Sequence, residues 1–363
     1  MSNHKERYHN FSPGPATLPL EVLEKAQEEL PNYQGIGASV MEISHRSDAY
    51  EELDHQARTR IKRMLGIGDD YTVLFLQGGA STQFLMAPYN YLEEGKTADY
   101  INTGRWSTKA IREAKLFGNV HVPFSSEDSN FSRVPQQDEL NFSDDPEYVH
   151  FTSNNTVAGT QFPEEPDTGG VPLVCDASSD FLSRPIDIEK YGIIYAGAQK
   201  NCGPAGVTIV VIRNDFLEKA KQNGIPTMMS YHTHAEKIFN TPPSFNVYMV
   251  NLMMEWMEEK GGVEYFEKYN REKAQTIYDE IDKDDFYRGA VDKDSRSLMN
   301  ITFRLQNEDL EAKFLEEAEE NDLVKLKGHR SVGGIRASLY NACRQESVDA
   351  LQQFMADFRK NNG

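Results

Sequence analysis

Cysteine, long apolar runs and positive charge are all scarce in this sequence, and each shortage excludes a class of protein. The 363 residues include three cysteines, Cys175, Cys202 and Cys343, and none of them lies in a CxxC pair. Cysteines so few and so scattered exclude a disulfide framework, and no metal site is expected. No apolar run approaches the roughly 18 residues that a membrane span needs, and the N-terminal MSNHKERYHN lacks the apolar core of a signal peptide. We therefore expect a soluble cytoplasmic protein without a membrane partner.

Positive charge is outnumbered, because 38 lysines and arginines stand against 57 aspartates and glutamates, a formal net charge of −19 at pH 7. This balance argues against nucleic acid as a partner. An anionic ligand would have to be bound by a local basic cluster that acts against the field of the whole chain. At roughly 100–200 residues per domain, the length predicts two or three domains, or one large domain with an appendage.

Short apolar segments alternate with helical patterns between residues 71 and 212, which predicts an α/β layer with a mostly parallel sheet. Several segments are continuously apolar, as expected for strands that are buried on both faces. Helices are predicted at Thr82–Leu92 and at Ser107–Phe117, where Ser107 would cap the helix and Gly118 would end it. The seven predicted strands are Thr72–Gln77, Asp99–Thr103, Asn119–Pro123, Tyr148–Ser153, Pro172–Asp176, Ile193–Ala196 and Val207–Ile212.

After about residue 245 the pattern changes to longer helices with a single strand. The predicted helices are Asn246–Lys260, Tyr265–Asp284, Leu310–Glu320 and Ser347–Lys360, and the predicted strand is Ser297–Leu305. We interpret residues 16–261 as a large α/β domain and residues 262–363 as a smaller α+β domain. Residues 1–15 are expected to pack with the smaller domain.

Lys200 lies in a segment that is typical of a strand end, IIYAGAQKNCGPAG at residues 193–206. Small neighbours allow a bulky group to approach the backbone, and burial lowers the pKa of a lysine, which favours formation of a Schiff base. A surface lysine in a glycine-rich turn would leave the same pattern, so this segment alone does not decide the matter.

Two further features favour a cofactor site. Asp176 ends a predicted strand, at the edge where open α/β sheets bind ligands. A carboxylate there can keep a pyridine nitrogen protonated, although capping of the following turn would explain it equally well. Residues 77–81, QGGAS, join a strand to a helix and present backbone N–H groups and the Ser81 hydroxyl to a phosphate. The combination of the lysine, the aspartate and this loop indicates pyridoxal phosphate.

Longer motifs resemble the phosphoserine aminotransferase family over nearly the whole chain and in the family's order. The resemblance implies a fold-type I pyridoxal phosphate enzyme of class V, a homodimer that contains a mostly parallel seven-stranded sheet. Its expected reaction transfers the amino group of L-glutamate to 3-phosphohydroxypyruvate in serine biosynthesis. The resemblance leaves open whether the enzyme also acts on the 4-phosphohydroxythreonine pair of pyridoxine biosynthesis. The motifs are FSPGPATLP (Phe11–Pro19), SVMEISHRS (Ser39–Ser47), FLQGGAS (Phe75–Ser81), TSNNTVAGTQ (Thr152–Gln161), DASSDFLSRPID (Asp176–Asp187), YAGAQKNCGPAGVT (Tyr195–Thr208), NTPPSF (Asn240–Phe245) and GHRSVGGIRASLYNA (Gly328–Ala342).

The same resemblance implies a role for individual residues. Lys200 would bind the cofactor as a Schiff base and act as general base, and Asp176 would bind the pyridine nitrogen. The other implied cofactor contacts are Trp106 on the ring, Thr156 on the phenolic oxygen, and Ala80, Ser81 and Gln199 on the phosphate, with Asn240 and Thr241 reaching the phosphate from the neighbouring subunit. The implied substrate-binding residues are His45, Arg46, His329, Arg330 and Arg336.

One position departs from part of the family, because some members have an arginine where this chain has Ser81. Two other functions compete with the expected one. A lyase or transaminase for an unphosphorylated amino acid would leave His329 and Arg330 without an anionic partner. A phosphate-binding scaffold protein would need no reactive lysine.

Overall fold

The computed structural model describes residues 7–363, so expectations about residues 1–6 lie outside the described residues. Within this range the chain forms ten α-helices and fourteen β-strands. The helices are α1 (Leu20–Glu29), α2 (Asp48–Leu65), α3 (Gly79–Tyr91), α4 (Arg105–Ala114), α5 (Asn214–Leu217), α6 (Tyr231–Glu236), α7 (Ser244–Lys260), α8 (Gly262–Ile281), α9 (Glu308–Glu320) and α10 (Gln345–Asn362). The strands are β1 (His9–Asn10), β2 (Tyr71–Leu76), β3 (Thr97–Tyr100), β4 (Asn119–His121), β5 (Val149–Thr152), β6 (Asn154–Asn155), β7 (Thr160–Gln161), β8 (Leu173–Asp176), β9 (Tyr191–Gly197), β10 (Thr208–Arg213), β11 (Arg288–Gly289), β12 (Asn300–Arg304), β13 (Leu323–Val324) and β14 (Ile335–Ser338).

Seven strands form one sheet in the order β2-β10-β9-β8-β5-β3-β4. The pairs from β9 to β4 are parallel, and β10 alone runs antiparallel to both of its neighbours. This arrangement confirms the predicted mostly parallel sheet of seven strands. The strands β5, β8 and β9 are neighbours and run in the same direction, so their carboxyl ends lie at one edge of the sheet.

The continuously apolar strands are explained by burial of both faces of this sheet. Along β10, Ile209 and Val211 pack into one hydrophobic cluster, whereas Val210 and Ile212 pack into another on the opposite face. Successive side chains of a strand point to opposite faces, so a strand covered on both sides needs apolar residues at every position.

A third hydrophobic cluster is built by the C-terminal elements together with Phe11, which is fully buried. Helix α8 contributes to two clusters, because Phe266 packs with the large sheet and Ile277 packs with the C-terminal elements. Strand β1 pairs with β13, which ties the beginning of the described chain to this C-terminal region. The division of the chain at residue 262 stays a prediction.

Several predicted boundaries are wrong. Helix α4 begins at Arg105 after Gly104 and ends at Ala114, so Ser107 does not cap it and Gly118 does not end it. The Ser107 hydroxyl instead accepts a hydrogen bond from the Thr103 backbone N–H at 3.1 Å and donates to the Gly104 carbonyl at 2.8 Å. Helices α1 and α2 and strand β14 were not predicted, and β14 lies between the predicted helices Leu310–Glu320 and Ser347–Lys360.

No helix among residues 7–363 is long and apolar enough to cross a membrane. Over the same residues no group of three or more histidine, cysteine, aspartate or glutamate side chains could hold a metal ion.

Candidate active site

Lys200 lies just beyond the end of β9, and its side chain is half-buried at the carboxyl edge of the sheet. The Nζ atom donates hydrogen bonds to the hydroxyls of Thr156 at 2.7 Å and Ser179 at 3.2 Å. These two hydroxyls are themselves 2.7 Å apart, so the three groups form a closed triangle. Burial lowers the pKa of Lys200 from its usual 10.5, whereas Asp176 and Asp180 act in the opposite direction. The site therefore contains an amine with a weakened hold on its proton, held by neutral oxygens.

Asp176 is the last residue of β8 and is only 3% exposed. Its Oδ1 atom accepts hydrogen bonds from the Ser178 backbone N–H at 3.0 Å and from the Ser178 hydroxyl at 2.6 Å. Ser178 Oγ in turn accepts a hydrogen bond from the Gly197 N–H at 3.0 Å, which joins β8 to the end of β9. Within residues 7–363 the other oxygen, Oδ2, has no hydrogen-bond partner. One carboxylate oxygen is thus fixed, and the second is free to accept a hydrogen bond from a ligand.

The QGGAS loop opens helix α3, and no side chain caps that end of the helix. Gly78 has a φ of 94°, and a Cβ there would lie 1.8 Å from Thr82 Oγ1, so only glycine fits. The first N–H groups of a helix have no partner within it, and those near Ala80 and Ser81 are available to an anion. Ala80 is half-buried and Ser81 is exposed.

The Gln199 side chain lies beside the end of β9, at the carboxyl edge of the sheet. A Cβ on Gly197 would lie 2.8 Å from the Gln199 Oε1 atom. Asn240 and Thr241 contact Gln77, the first residue of the QGGAS loop, in their own chain. Asn240 Nδ2 donates to Gln77 Oε1 at 2.8 Å, and Gln77 Nε2 donates to the Thr241 carbonyl at 3.4 Å. Their predicted contact with the neighbouring subunit's phosphate site stays a prediction.

Trp106 is the second residue of α4, and its ring centre lies 5.5 Å from Lys200 Nζ. The Trp106 Nε1 atom is buried without a hydrogen-bond partner. The start of α4 is fixed by Gly104, because a Cβ there would lie 2.1 Å from Asn155 Oδ1. Since Asn155 precedes Thr156, the indole and the lysine triangle belong to one packed unit.

Arg336, from β14, is 6% exposed and donates Nη1 to the Thr156 carbonyl at 3.1 Å. Its Nε atom is buried and has no hydrogen-bond partner among residues 7–363, and burial lowers the pKa of the guanidinium. His329 and Arg330 belong to the loop that precedes β14. Burial lowers the pKa of His329 from its usual 6.5, and the nearby cations Arg105, Arg336, Arg330 and Lys109 lower it further.

His45 and Arg46 precede helix α2, whose N-cap is Ser47. In the described part of the chain, neither side chain forms a hydrogen bond or an ion pair. The structure therefore brings Lys200, Asp176, Trp106, Thr156 and Arg336 together but does not join His45 or Arg46 to them within one chain. The substrate role of these two residues stays a prediction.

Sequence reasoning missed four side chains at this site. Ser178 and Ser179 lie inside the DASSD motif, and two hydroxyls within three residues of a strand-end aspartate were a signal that could have found them. Arg105 and Lys109 flank Trp106 in TGRWSTK, and their spacing of four residues on a helix places them on one face. No local pattern links them to His329, which is more than two hundred residues away in the sequence.

Comparison with known proteins agrees with this geometry. The sequence model of the family "Aminotransferase class-V" matches residues 8–351. A phosphoserine aminotransferase of Desulfosudis oleivorans is 55% identical over 362 residues, which cover 99% of each chain. The structure resembles phosphoserine aminotransferase from Bacillus circulans subsp. alkalophilus, with a TM-score of 0.96, 53% identity and coverage of 99% of this chain and 100% of that one. It also resembles pyridoxal phosphate-bound phosphoserine aminotransferase from Trichomonas vaginalis, with a TM-score of 0.92, 40% identity and coverage of 96% and 100%. Matches of this extent show that the chain belongs to the class-V aminotransferases and, within them, to the phosphoserine aminotransferases.

Proposed function

We propose that this protein transfers the amino group of L-glutamate to 3-phosphohydroxypyruvate, giving O-phospho-L-serine and 2-oxoglutarate, with pyridoxal phosphate bound to Lys200. The observation that carries this proposal is the lysine triangle formed by Lys200, Thr156 and Ser179 at the end of the sheet. A half-buried amine held only by hydroxyls, with a pKa lowered mainly by burial, is suited to both Schiff-base formation and proton transfer.

The residues present fit pyridoxal phosphate. The free Oδ2 atom of Asp176 suits a protonated pyridine nitrogen, because a carboxylate stabilises the charged form of that ring. The uncapped N-terminus of α3 suits the phosphate, with the Gln199 amide beside it. The Trp106 ring offers an aromatic face near Lys200, and the Thr156 hydroxyl offers a polar contact for the phenolic oxygen.

When bound, pyridoxal phosphate supplies an electrophilic aldehyde carbon and a pyridinium ring that withdraws the electron pair left by removal of the substrate's α-proton. Lys200 would hold the cofactor, and when its Nζ is free it would take the α-proton of the substrate and later return a proton. Thr156 and Ser179 hold that nitrogen in place between the two transfers. Asp176 keeps the ring nitrogen protonated, and Ser178 keeps Asp176 oriented.

The two substrates share an α-carboxylate and differ at the far end, where one carries a γ-carboxylate and the other a phosphate. Arg336 is suited to the shared α-carboxylate, because it lies beside Thr156 and has a buried, unpaired Nε. Planar guanidinium groups bind carboxylates and phosphates through paired hydrogen bonds. We assign His329 and Arg330 to the phosphate, with His45 and Arg46 as further contacts. The same residues could serve the 4-phosphohydroxythreonine pair, which carries the same two anionic groups.

We further propose a cytoplasmic homodimer in which Asn240 and Thr241 complete the neighbouring subunit's phosphate site. Thr241 is exposed, and within the described residues its hydroxyl has no hydrogen-bond partner, so it is available to a second chain. All three cysteines are free and buried, which suits a reducing compartment.

Borohydride reduction followed by peptide mapping tests the proposal directly. Incubation of the purified protein with pyridoxal phosphate and borohydride should leave a pyridoxyl group on the peptide that contains Lys200. The Lys200→Ala variant should bind the cofactor without this covalent mark and should lose steady-state transamination. Labelling of a different lysine, or normal turnover by Lys200→Ala, would overturn the assignment.

A further inference from the structure

The phosphate of the substrate requires positive charge, and position 81 supplies none. Ser81 is exposed and uncharged, so its side chain adds no positive charge beside the phosphate loop. The chain carries a net charge of −19, so a substrate dianion has to overcome the surrounding field. Another cation at the site would supply the positive charge that the phosphate requires.

Arg105 is the first residue of α4 and is held on the same framework as the lysine triangle. Its predecessor Gly104 packs against Asn155 so closely that no Cβ fits. Asn155 is buried and donates Nδ2 to Thr103 Oγ1 at 3.0 Å, which fixes the turn into the helix. Thr156, the next residue, contacts both Lys200 and Arg336. The start of α4 is therefore positioned by contacts to the segment that also positions the reactive amine.

A group of five cations, which we call the basic mouth, meets beside this helix end. Among residues 7–363 none of its members forms an ion pair, although ion pairs occur at many other places, such as Arg133 with Glu139 at 2.6 Å. Arg105 is half-buried and has no hydrogen-bond partner in this range. Cations gathered without acidic partners repel one another, and a bound anion would remove that repulsion. The members are Arg105, Lys109, His329, Arg330 and Arg336.

The pKa of His329 agrees with this arrangement. After burial, Arg105 has the largest influence among the neighbouring cations that lower this pKa, ahead of Arg336, Arg330 and Lys109. The positive charge of Arg105, on α4, therefore acts on His329, which belongs to the loop before β14.

We propose that Arg105 determines specificity for the phosphorylated substrate by binding its phosphate group together with His329 and Arg330. Lys109 lies one turn further along α4, with its Nζ 4.5 Å from the Trp106 ring centre. It adds positive charge near the phosphate and need not contact the phosphate itself. This inference rests on the proposed function, since it concerns the phosphate of that substrate.

The test compares Arg105→Gln with Arg105→Lys and with a matched control, Arg112→Gln. Arg112 lies on the same helix, is exposed and has no ion pair, so its removal changes the net charge equally but away from the basic mouth. The measurements are kcat/KM for 3-phosphohydroxypyruvate, kcat/KM for glutamate, and inhibition by inorganic phosphate, all at one salt concentration because salt screens charge effects.

We expect Arg105→Gln to reduce kcat/KM for 3-phosphohydroxypyruvate by about 10- to 150-fold, the range for loss of a charged hydrogen bond. The change should appear mainly in KM, inhibition by phosphate should weaken in parallel, and the value for glutamate should change much less. Arg105→Lys should recover part of the loss, and Arg112→Gln should behave as the unmodified protein does.

Three results would overturn the inference. An unchanged ratio of the two kcat/KM values in Arg105→Gln would show that Arg105 does not bind the phosphate. Equal losses for both substrates, with a lowered melting temperature, would show a structural role. If the unmodified protein itself does not prefer 3-phosphohydroxypyruvate over pyruvate, the proposed function fails and the inference fails with it, whereas the first two results leave that function intact.

Discussion

Lys200 is held by two hydroxyls rather than by a carboxylate, and this choice of partners matters for its chemistry. A carboxylate in direct contact would stabilise the ammonium form and raise the pKa of the amine. Thr156 and Ser179 provide hydrogen bonds at 2.7 and 3.2 Å without adding a charge, so burial remains the largest influence and the pKa is lowered. Asp176 acts on Lys200 from a distance and keeps an oxygen for the cofactor.

Ser178 should matter for catalysis although it does not contact the substrate. In Ser178→Ala, Asp176 Oδ1 loses the hydroxyl at 2.6 Å and keeps only the backbone N–H. We expect kcat to fall by about tenfold or more, with a small change in KM, because loss of a hydrogen bond to a charged group costs about 1.5–3 kcal/mol.

The control for Ser178→Ala is Ser347→Ala, which removes another buried hydroxyl, on helix α10 and 2.9 Å from His9 Nδ1. Both variants should lose similar thermal stability, but only Ser178→Ala should lose kcat. Equal kcat values in the two variants would show that Ser178 does not position Asp176.

Protonation of His329 should make the affinity for the phosphorylated substrate depend on pH. Its pKa is below the usual 6.5 in the free protein, mainly through burial and then through the cations around it. A bound phosphate dianion would raise that pKa, so binding takes up a proton at pH values between the free and bound pKa. Affinity for the phosphorylated substrate should therefore rise as pH falls through this window, by at most about tenfold per pH unit for one proton.

Titration of the phosphate itself overlaps with this window, so His329→Gln serves as the reference. The difference in pH dependence of KM between the unmodified protein and His329→Gln isolates the histidine. Identical pH profiles in the two proteins would remove His329 from the phosphate site. Glutamate, which carries no phosphate, should show little difference between them.

At the scale of elements, the start of α4 places Arg105 and Trp106 together. Gly104 has an extended backbone that any residue can adopt, so the space beside Asn155, and not the backbone conformation, requires glycine. In Gly104→Ala the helix end has to shift to relieve a contact of 2.1 Å. We expect kcat/KM to fall on the order of 100-fold for both substrates, because small displacements of positioning groups have effects of this size.

Gly68→Ala is the matched control, since a Cβ there meets only the Asp70 side chain at an ordinary 3.4 Å and no left-handed φ is required. It should retain full activity. Full activity in Gly104→Ala as well would show that the packing of α4 against Asn155 is not needed to position Trp106.

The helices and strands that were predicted well are those whose sequence pattern lies within the element itself. The strands of the large sheet are apolar at every position because both faces are covered, and each predicted strand overlaps an observed one. Helix α2 could have been found from Leu53, Ala57 and Ile61, which recur every fourth residue and are buried. Strand β14 was not predicted, because its pairing with β12 is set by distant residues and not by its glycine-rich surroundings.

The site was predicted as far as motif resemblance reached. Lys200, Asp176 and Thr156 stand in long motifs, and the structure brings them together. Arg105 was missed because its influence on His329 joins segments that are far apart in the chain, which no spacing rule reveals. Arg46 remains a prediction, because within residues 7–363 its side chain forms no hydrogen bond or ion pair that would join it to the site.

At the scale of the whole molecule, the proposed dimer divides each phosphate site between two chains. Inactive Lys200→Ala mixed with Thr241→Glu, whose added negative charge should repel the cofactor phosphate, should regain activity after subunit exchange. One site of the mixed dimer would combine both defects, and the other would contain neither. Steady-state transamination against the mixing ratio measures the recovery.

The control mixes Lys200→Ala with Asp176→Asn, two defects that belong to the same chain's site, and it should show no recovery. Absence of recovery with Thr241→Glu after verified exchange would mean that this segment serves its own chain. Asn240 already contacts Gln77 of its own chain at 2.8 Å, a contact that is compatible with service to the same chain's site.

The central claim is that one site, built around Lys200 and the basic mouth, transfers an amino group to a phosphorylated keto acid. The most direct test is a rapid-mixing measurement of the second half-reaction, in which the purified enzyme, first loaded with the amino group by glutamate, meets 3-phosphohydroxypyruvate, pyruvate or oxaloacetate. The account predicts that kcat/KM for 3-phosphohydroxypyruvate exceeds both others by about 100-fold or more, because at least one charged hydrogen bond is made only to the phosphate. Equal values for pyruvate and 3-phosphohydroxypyruvate would contradict it.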